Sequence, residues 1–321
     1  MGRRVTLSLQ PMSAPTPNGV LVVDKARGPT SHDVVARLRR TLGTREIGHA
    51  GTLDPMATGV LVLALGEATK LVPWLTAHDK AYETTVALGV ETDTLDAEGR
   101  EVIRVALRAE LLEALSHSRG RQISPALLAA LETERARTAQ VPPAFSAIRT
   151  RGKRAFDLAR RGSPPRLEHR PVQVLQLDLL AYSSDPAWLS LAIEVGKGYY
   201  VRALARDLAR ALGTVGHLTQ LRRVRSGPFV IDEALSIEAQ PDQLRAHIQP
   251  IAMAAGRALA LGKLTEAGTR DARHGRLVHP YDIDAPARGP SAWLDPTGGL
   301  VAVGEVDPTG RGKVLRGFSS L

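Results

Sequence analysis

Apolar residues recur along the chain with two spacings, and each change of spacing marks a new element. Residues 20–24 (VLVVD) form a continuous apolar run of strand length, followed by the turn residues Lys25-Ala26-Arg27-Gly28-Pro29. Val34, Val35, Leu38 and Leu42 then repeat at helical spacing, with Ser31 as the expected N-cap and Gly43 as the stop. Residues 59–65 read as a buried strand, and residues 67–77 as a helix strained by Pro73. Residues 82–90 and 101–105 read as arms of a hairpin around the acidic turn Thr92-Asp93-Thr94-Leu95-Asp96-Ala97-Glu98-Gly99. Leucine and alanine spacing predicts one or two helices over 107–137, stopped by Val141-Pro142-Pro143, and a short helix over 153–161. Residues 172–180 and 188–195 alternate like antiparallel strands, and 201–212 return to the helical period. Strands and helices mixed without a βαβα rhythm predict an α+β fold with a largely antiparallel sheet.

Residues 1–17 hold three prolines and no periodicity, which predicts a disordered arm. Residues 237–258, with Gln240-Pro241 and Gln249-Pro250, predict a bridge to a small Gly/Pro-rich module whose clearest strand covers residues 300–306. The expected division is an arm over 1–17, a larger domain over 18–250 and a small one over 251–321. A chain of 321 residues, 43% of them hydrophobic, is long enough to bury two such cores.

Composition narrows the chemistry. The longest apolar stretch, residues 60–65, is far too short to span a bilayer, and the N-terminal basic residues are not followed by a signal-like apolar run. With no cysteine, disulfides, thiol catalysis and cysteine-ligated zinc are excluded, and the cytoplasm is the expected compartment. The net charge of +9 points to a polyanionic partner, and residues 1–254 carry +7 of it.

Most local motifs dissolve on inspection. Ser31-His32-Asp33 cannot act as a triad, because sequence neighbours point in different directions. Among nine histidines there is no H-x-x-x-H pair, and His274 with His279 lacks a supporting carboxylate arrangement, so no metal site is expected. The glycines before Lys70 miss the phosphate-loop spacing. The strongest segment is Gly48-His49-Ala50-Gly51-Thr52-Leu53-Asp54-Pro55, an irregular Gly-rich loop in which a carboxylate can face a ligand. Taken alone, an Asp before Pro in such a loop is a turn former.

The wider context resembles the TruB-type tRNA pseudouridine synthases, which isomerise the T-loop uridine at tRNA position 55. The matching blocks are GVLVVDKARGPTSHDVV from Gly19, GHAGTLDPMATGVLVLALGEATK from Gly48, DKAYETTVALGVETDTLDAEG from Asp79, VPPAFSAIRTRGKRAFDLARRG from Val141 and VGKGYYVRALARDLA from Val195. They follow the family's order over residues 19 to about 230, and GHAGTLDP and GKGYYVRALARDL are highly specific. The resemblance implies that Asp54 is the catalytic aspartate, Arg202 its ion-pair partner and Tyr82 the aromatic residue stacked on the target base. It implies that Tyr200 and Leu221 support the pocket, that Lys25 lies near the first turn on the substrate side, and that His49 helps hold the T-loop.

It further implies a pseudouridine synthase fold with a mixed, largely antiparallel sheet and flanking helices, ending in a small β-barrel PUA-like domain that binds RNA. Base flipping, no cofactor, no metal, no required protein partner and a monomeric enzyme on the tRNA T-arm complete the expectation. Three positions depart from the family pattern: Ala26 where proline is usual, Phe145 where tyrosine is common and Arg149 where lysine is common. Residues 119–138 are longer than usual. Lys153, with Arg149, Arg151, Arg154, Arg160 and Arg161, is an expected phosphate contact, as are Arg222, Arg223 and Arg225. Intact Asp54, Tyr82 and Arg202 argue against a purely RNA-binding protein, and the extensive match to the stand-alone type argues against a guide-RNA-dependent relative.

Overall fold

The computed structural model describes residues 17–116, 123–150, 152–286 and 288–319. Most of the expected arm, residues 1–16, lies outside the described residues, as does Arg151. The central feature is a nine-stranded mixed sheet. Its strands run in the order Val174–Ser184, Ala187–Val195, Lys80–Leu88, Gly216–Ser226, Thr58–Leu65, Gly19–Lys25 and Leu235–Ser236, with Ile47–His49 and Phe229–Val230 paired at its side. Only the pairs Gly216–Ser226 with Thr58–Leu65 and Gly19–Lys25 with Leu235–Ser236 are parallel. A second sheet of five strands gathers Ala260–Leu264, Ile283–Asp284, Ser291–Leu294, Leu300–Val306 and Gly312–Gly317.

The apolar runs VLVV and VLVLAL have a direct cause. Leu21, Val23, Leu61, Leu63 and Leu65 face a core shared with Val34, Leu38, Leu204 and Leu208 of the flanking helices. Val20, Val22, Val60, Val62 and Ala64 face a second core with Ala254, Ala255, the five-stranded sheet's Ala292 and Val303, and Phe318 just after its last strand. Strands covered on both faces carry no polar alternation. Lys80–Leu88 and Ala187–Val195 are covered on one face and do alternate.

Several expected boundaries move. The Ser31–Leu42 helix is capped by Thr30, in a capping box with Asp33, and Gly43 closes it in the left-handed conformation. Ser31 is one residue inside and turns its hydroxyl to Leu53, accepting from its N–H at 2.9 Å. Residues 67–77 are two pieces, a 3-10 turn over Gly66–Leu71 and a helix over Val72–Ala77. Pro73 sits in the first turn of the latter, where its missing N–H strains nothing. The first arm of the acidic hairpin is Val90–Thr92 alone, because Gly89 at φ 90° ends the preceding strand. Residues 107–137 contain the helices Ala109–Ser116 and Pro125–Arg135, with residues 117–122 outside the described set. Lys153 and Arg154 belong to a small hairpin, and the following helix is Ala155–Arg160. The sheet's central strand, Gly216–Ser226, has no counterpart in the hydropathy reading, because arginines interrupt its apolar alternation. No helix among the described residues is long and apolar enough to cross a membrane.

Candidate active site

Asp54 lies in the loop between the strands Ile47–His49 and Thr58–Leu65. The loop is irregular but heavily tied. Ala50 N–H donates to Val62 O, Ala57 N–H to Asp54 O, and Gly28 N–H to Pro55 O at 2.8 Å. Ser31 holds Leu53 from the neighbouring helix. The buried Lys25 ammonium donates to Pro55 O at 3.1 Å and to Ala57 O at 2.6 Å, as well as to Ala26 O. Its charge is thus directed at main-chain carbonyls rather than at open space, and burial pulls it down to about 8 although Glu98 and Asp54 oppose the shift.

Arg202, in the first turn of the Val201–Ala211 helix, approaches Asp54 with two nitrogens. Nε lies 2.9 Å from Oδ2, and Nη2 donates to Oδ1 at 3.1 Å. The guanidinium is almost wholly buried and also donates to Thr94 O at 3.0 Å and Phe145 O at 2.8 Å, with Asp96 Oδ2 3.6 Å away. A planar fork filled on every side has one orientation, so the carboxylate it holds has one too. The Asp54 side chain remains 33% exposed, which leaves it open to a ligand.

Tyr82 is buried on the strand Lys80–Leu88, opposite Ile193 on one side and Arg223 on the other. Tyr200 precedes the Arg202 helix and exchanges two hydrogen bonds between its main chain and the Gln140 amide. Burial raises its phenol, and Arg202 and Asp54 are both within electrostatic reach of it. Leu221 packs in the same core as Tyr82 and lines a cavity of about 340 Å³ with Arg27, Met56, Thr58, Glu83 and Arg222. His49 meets the His32 ring edge-on at 5.3 Å; burial first, then His32 and Arg223, lower its pKa. Lys153 stays apart, exposed on its hairpin opposite Thr150, its ammonium without a hydrogen bond or ion pair among the described residues.

Of the arginines at 222–225, only Arg223 is removed from any phosphate surface by burial. Arg222 pairs with Asp24 at 2.8 Å, Arg225 with Glu194, and Arg223 is 1% exposed. By contrast Arg149, Arg154, Arg160 and Arg161 are exposed, with Arg154 and Arg160 both set over the Phe156 ring. Hydropathy reading missed Asp96, which is buried beside Arg202; the density of acidic residues in its turn was the available signal.

A family profile described as TruB family pseudouridylate synthase (N terminal domain) matches residues 39–201, and one described as tRNA pseudouridylate synthase B C-terminal domain matches 202–255. A protein of Mycobacterium sp. (strain KMS) named tRNA pseudouridine synthase B is 42% identical over 292 residues, covering 90% of this chain and 93% of that protein. The chain belongs to the TruB family of pseudouridylate synthases. It is accordingly an enzyme, an isomerase. Another TruB relative, from Thermobifida fusca (strain YX), is 39% identical over 296 residues, covering 90% of this chain and 94% of its own. The TruB fold is also that of a chain in a Cbf5-Nop10-Gar1 complex, with TM-score 0.70, 22% identity and coverage of 95% of this chain and 84% of that one. The architecture is thus the α+β pseudouridine synthase fold with a mixed sheet, followed by a curled half-barrel of PUA-like form.

Proposed function

We propose that this enzyme converts the uridine at position 55 of the tRNA T-loop to pseudouridine, with Asp54 as the catalytic carboxylate acting on a base flipped out of the loop. The observation that carries the reading is the Asp54–Arg202 pair: a part-exposed carboxylate oriented by a buried guanidinium, on a loop fixed through its main chain. The tRNA substrate is supported by the name borne by relatives that align over nine-tenths of the chain.

The reaction balances within the substrate. The C1′–N1 bond breaks, the uracil turns, a C1′–C5 bond forms, the C5 hydrogen leaves as a proton and N1 gains one. No oxidant, metal, nucleotide or guide RNA enters that balance. An ionised Asp54 serves each available route, as a nucleophile on the sugar or base or as a base toward a ribose proton. Tyr82 offers a flat face to the uracil, and such stacking contributes roughly 1–3 kcal/mol toward the few kcal/mol of extruding a base. Tyr200 and Leu221 shape the pocket around it, His49 supports the T-loop, and the exposed cations of residues 149–161, Lys153 among them, meet phosphates. Residues 18–250 carry the chemistry in this reading, and 251–321 add grip on the RNA; the enzyme works as a monomer.

The test is release of tritium from unmodified tRNA labelled at uracil C5, using the purified chain without added RNA. The parent should turn over, while folded Asp54→Asn should bind tRNA within a few-fold of the parent and react roughly 10⁴-fold more slowly. Turnover by folded Asp54→Asn near the parent's rate, or a parent that needs a second RNA, would overturn the reading.

A further inference from the structure

Two glycines bracket the Asp54 loop, and both abut the same residue, Gly51 its side chain and Gly59 its main chain. Gly51 has φ of 98°, and a Cβ there would lie 3.6 Å from Arg223 Nη1. Gly59 has φ of 101°, and a Cβ there would lie 2.2 Å from the Arg223 carbonyl oxygen and 2.8 Å from its nitrogen, a clash with main chain that cannot give way. Arg223 itself sits in register between Gly59 on one strand and Tyr82 on the other. Its guanidinium donates to Val60 O at 2.7 Å, Gly51 O at 3.1 Å and Thr52 O at 3.5 Å. Among the described residues no carboxylate pairs with it.

A cation that is 1% exposed and faces only carbonyls cannot greet a phosphate. What it does meet is the backbone on both sides of Asp54, Gly51 and Thr52 before it and Val60 after it, while Lys25 meets Pro55 and Ala57 in between. We propose that Arg223 is the positioning residue of the Asp54 loop, fixing the backbone that carries the carboxylate to Arg202 and to the bound uridine. The inference rests on the reading of Asp54 as the catalytic group. A rigid fork of five donors suits three carbonyls at fixed angles; an ammonium on a flexible stem does not. Lys80, whose Cε also lies near Gly51, turns its ammonium to Thr76 O and His78 O and does not substitute for it. Arg223 touches the loop from behind, so it acts on the reaction only through where Asp54 stands.

Misplacing a reacting group by about 1 Å costs on the order of 10²-fold in rate. Arg223→Lys, which keeps the charge, and Arg223→Gln, which removes the charge that burial penalises, are compared with the parent and with Val301→Ala, a core truncation in the five-stranded sheet. Each folded protein is measured for melting temperature, tRNA Kd and single-turnover pseudouridine formation. The expected result is a rate about 10- to 100-fold lower in both Arg223 variants with Kd within about 2-fold, while Val301→Ala, though less stable, reacts at the parent's rate. A parent rate in either folded Arg223 variant overturns the inference, and so does a Kd that rises in step with the loss of rate. If the parent turns over and Asp54→Asn does not, such a result removes this inference alone; a parent without turnover removes the reading beneath it.

Discussion

Val20 and Gln249 exchange both of their main-chain hydrogen bonds, Val20 N–H to Gln249 O at 2.9 Å and Gln249 N–H to Val20 O at 2.8 Å. Gly19 makes this approach possible: a Cβ there would stand 2.1 Å from the Gln249 oxygen. The segment leading to the small module is therefore stitched to the first strand, and does not hang from it as a loose bridge. Beyond Gln249 the helix Ile251–Ala258 carries the stitch into a core that the two sheets share.

That shared core makes the end of the chain structurally important to the first sheet. Phe318 is 6% exposed, Lys70 lies over its ring at 5.9 Å, and the next residue, Ser319, donates its N–H to Glu67 at 2.8 Å. Phe318→Ala should lower the unfolding free energy by about 3 kcal/mol, measured in urea. Single-turnover rate at a temperature where the variant is folded should match the parent's. A loss below about 1 kcal/mol would mean that the two sheets do not depend on one another as the packing implies.

At Arg202 the geometry of the donor matters as much as its charge. Arg202→Lys should slow single-turnover conversion about 10- to 100-fold and leave tRNA Kd within about 3-fold, because one ammonium cannot hold both Asp54 oxygens and two carbonyls. Arg202→Met should be slower still. A lysine variant that reacts at the parent's rate would show that the fork geometry contributes nothing.

Burial lowers Lys25 and Lys80 from 10.5 to about 8 each, in both cases with desolvation as the largest cause. Below about pH 8 both lysines are protonated whether the chain is folded or not, and the cost of burying the charges is fully present. Between about 8 and 10.5 the unfolded chain still binds protons that the folded chain has released, so this contribution to stability rises with pH. Urea unfolding at several pH values across that window should therefore show the stability of the parent gaining on that of Lys80→Met as pH increases. A constant difference between the two would contradict the lowered pKa.

Affinity for tRNA should fall steeply with salt, each neutralised phosphate contributing roughly 0.7–0.9 to the log–log slope. Arg160→Gln with Arg161→Gln should reduce the slope by roughly 1.5. Arg222→Gln should leave it unchanged, since that arginine is paired with Asp24. A slope that responds to Arg222 and not to the other pair would place the RNA on a different face.

Much of the local structure was legible from residue order. The VLVV and VLVLAL strands, the helix over residues 31–42 with its closing glycine, and the Gly-rich Asp54 loop depend on neighbours within a few positions, and such neighbours are what hydropathy and turn chemistry report. The Asp54–Arg202 pairing came through the family's motifs; spacing alone could not supply it, since 148 positions separate the two.

Tertiary structure alone decided the rest. Arg222, Arg223 and Arg225 look equivalent in sequence, yet one faces Asp24, one faces Glu194 and one is enclosed behind the Asp54 loop. Their fates follow from the bulged register of the strand Gly216–Ser226 between its two neighbours, and register is a property of the sheet. Lys25 likewise reads as an exposed turn residue until the carbonyls of Pro55 and Ala57 close around it. Sequence by itself determined most of the segments that extend, coil or turn, the strand Gly216–Ser226 excepted, and which residue types were at hand for the chemistry. The fold determined which cations would meet carboxylates, which would meet carbonyls and which would meet solvent, because that choice depends on contacts between residues 30 to 198 positions apart.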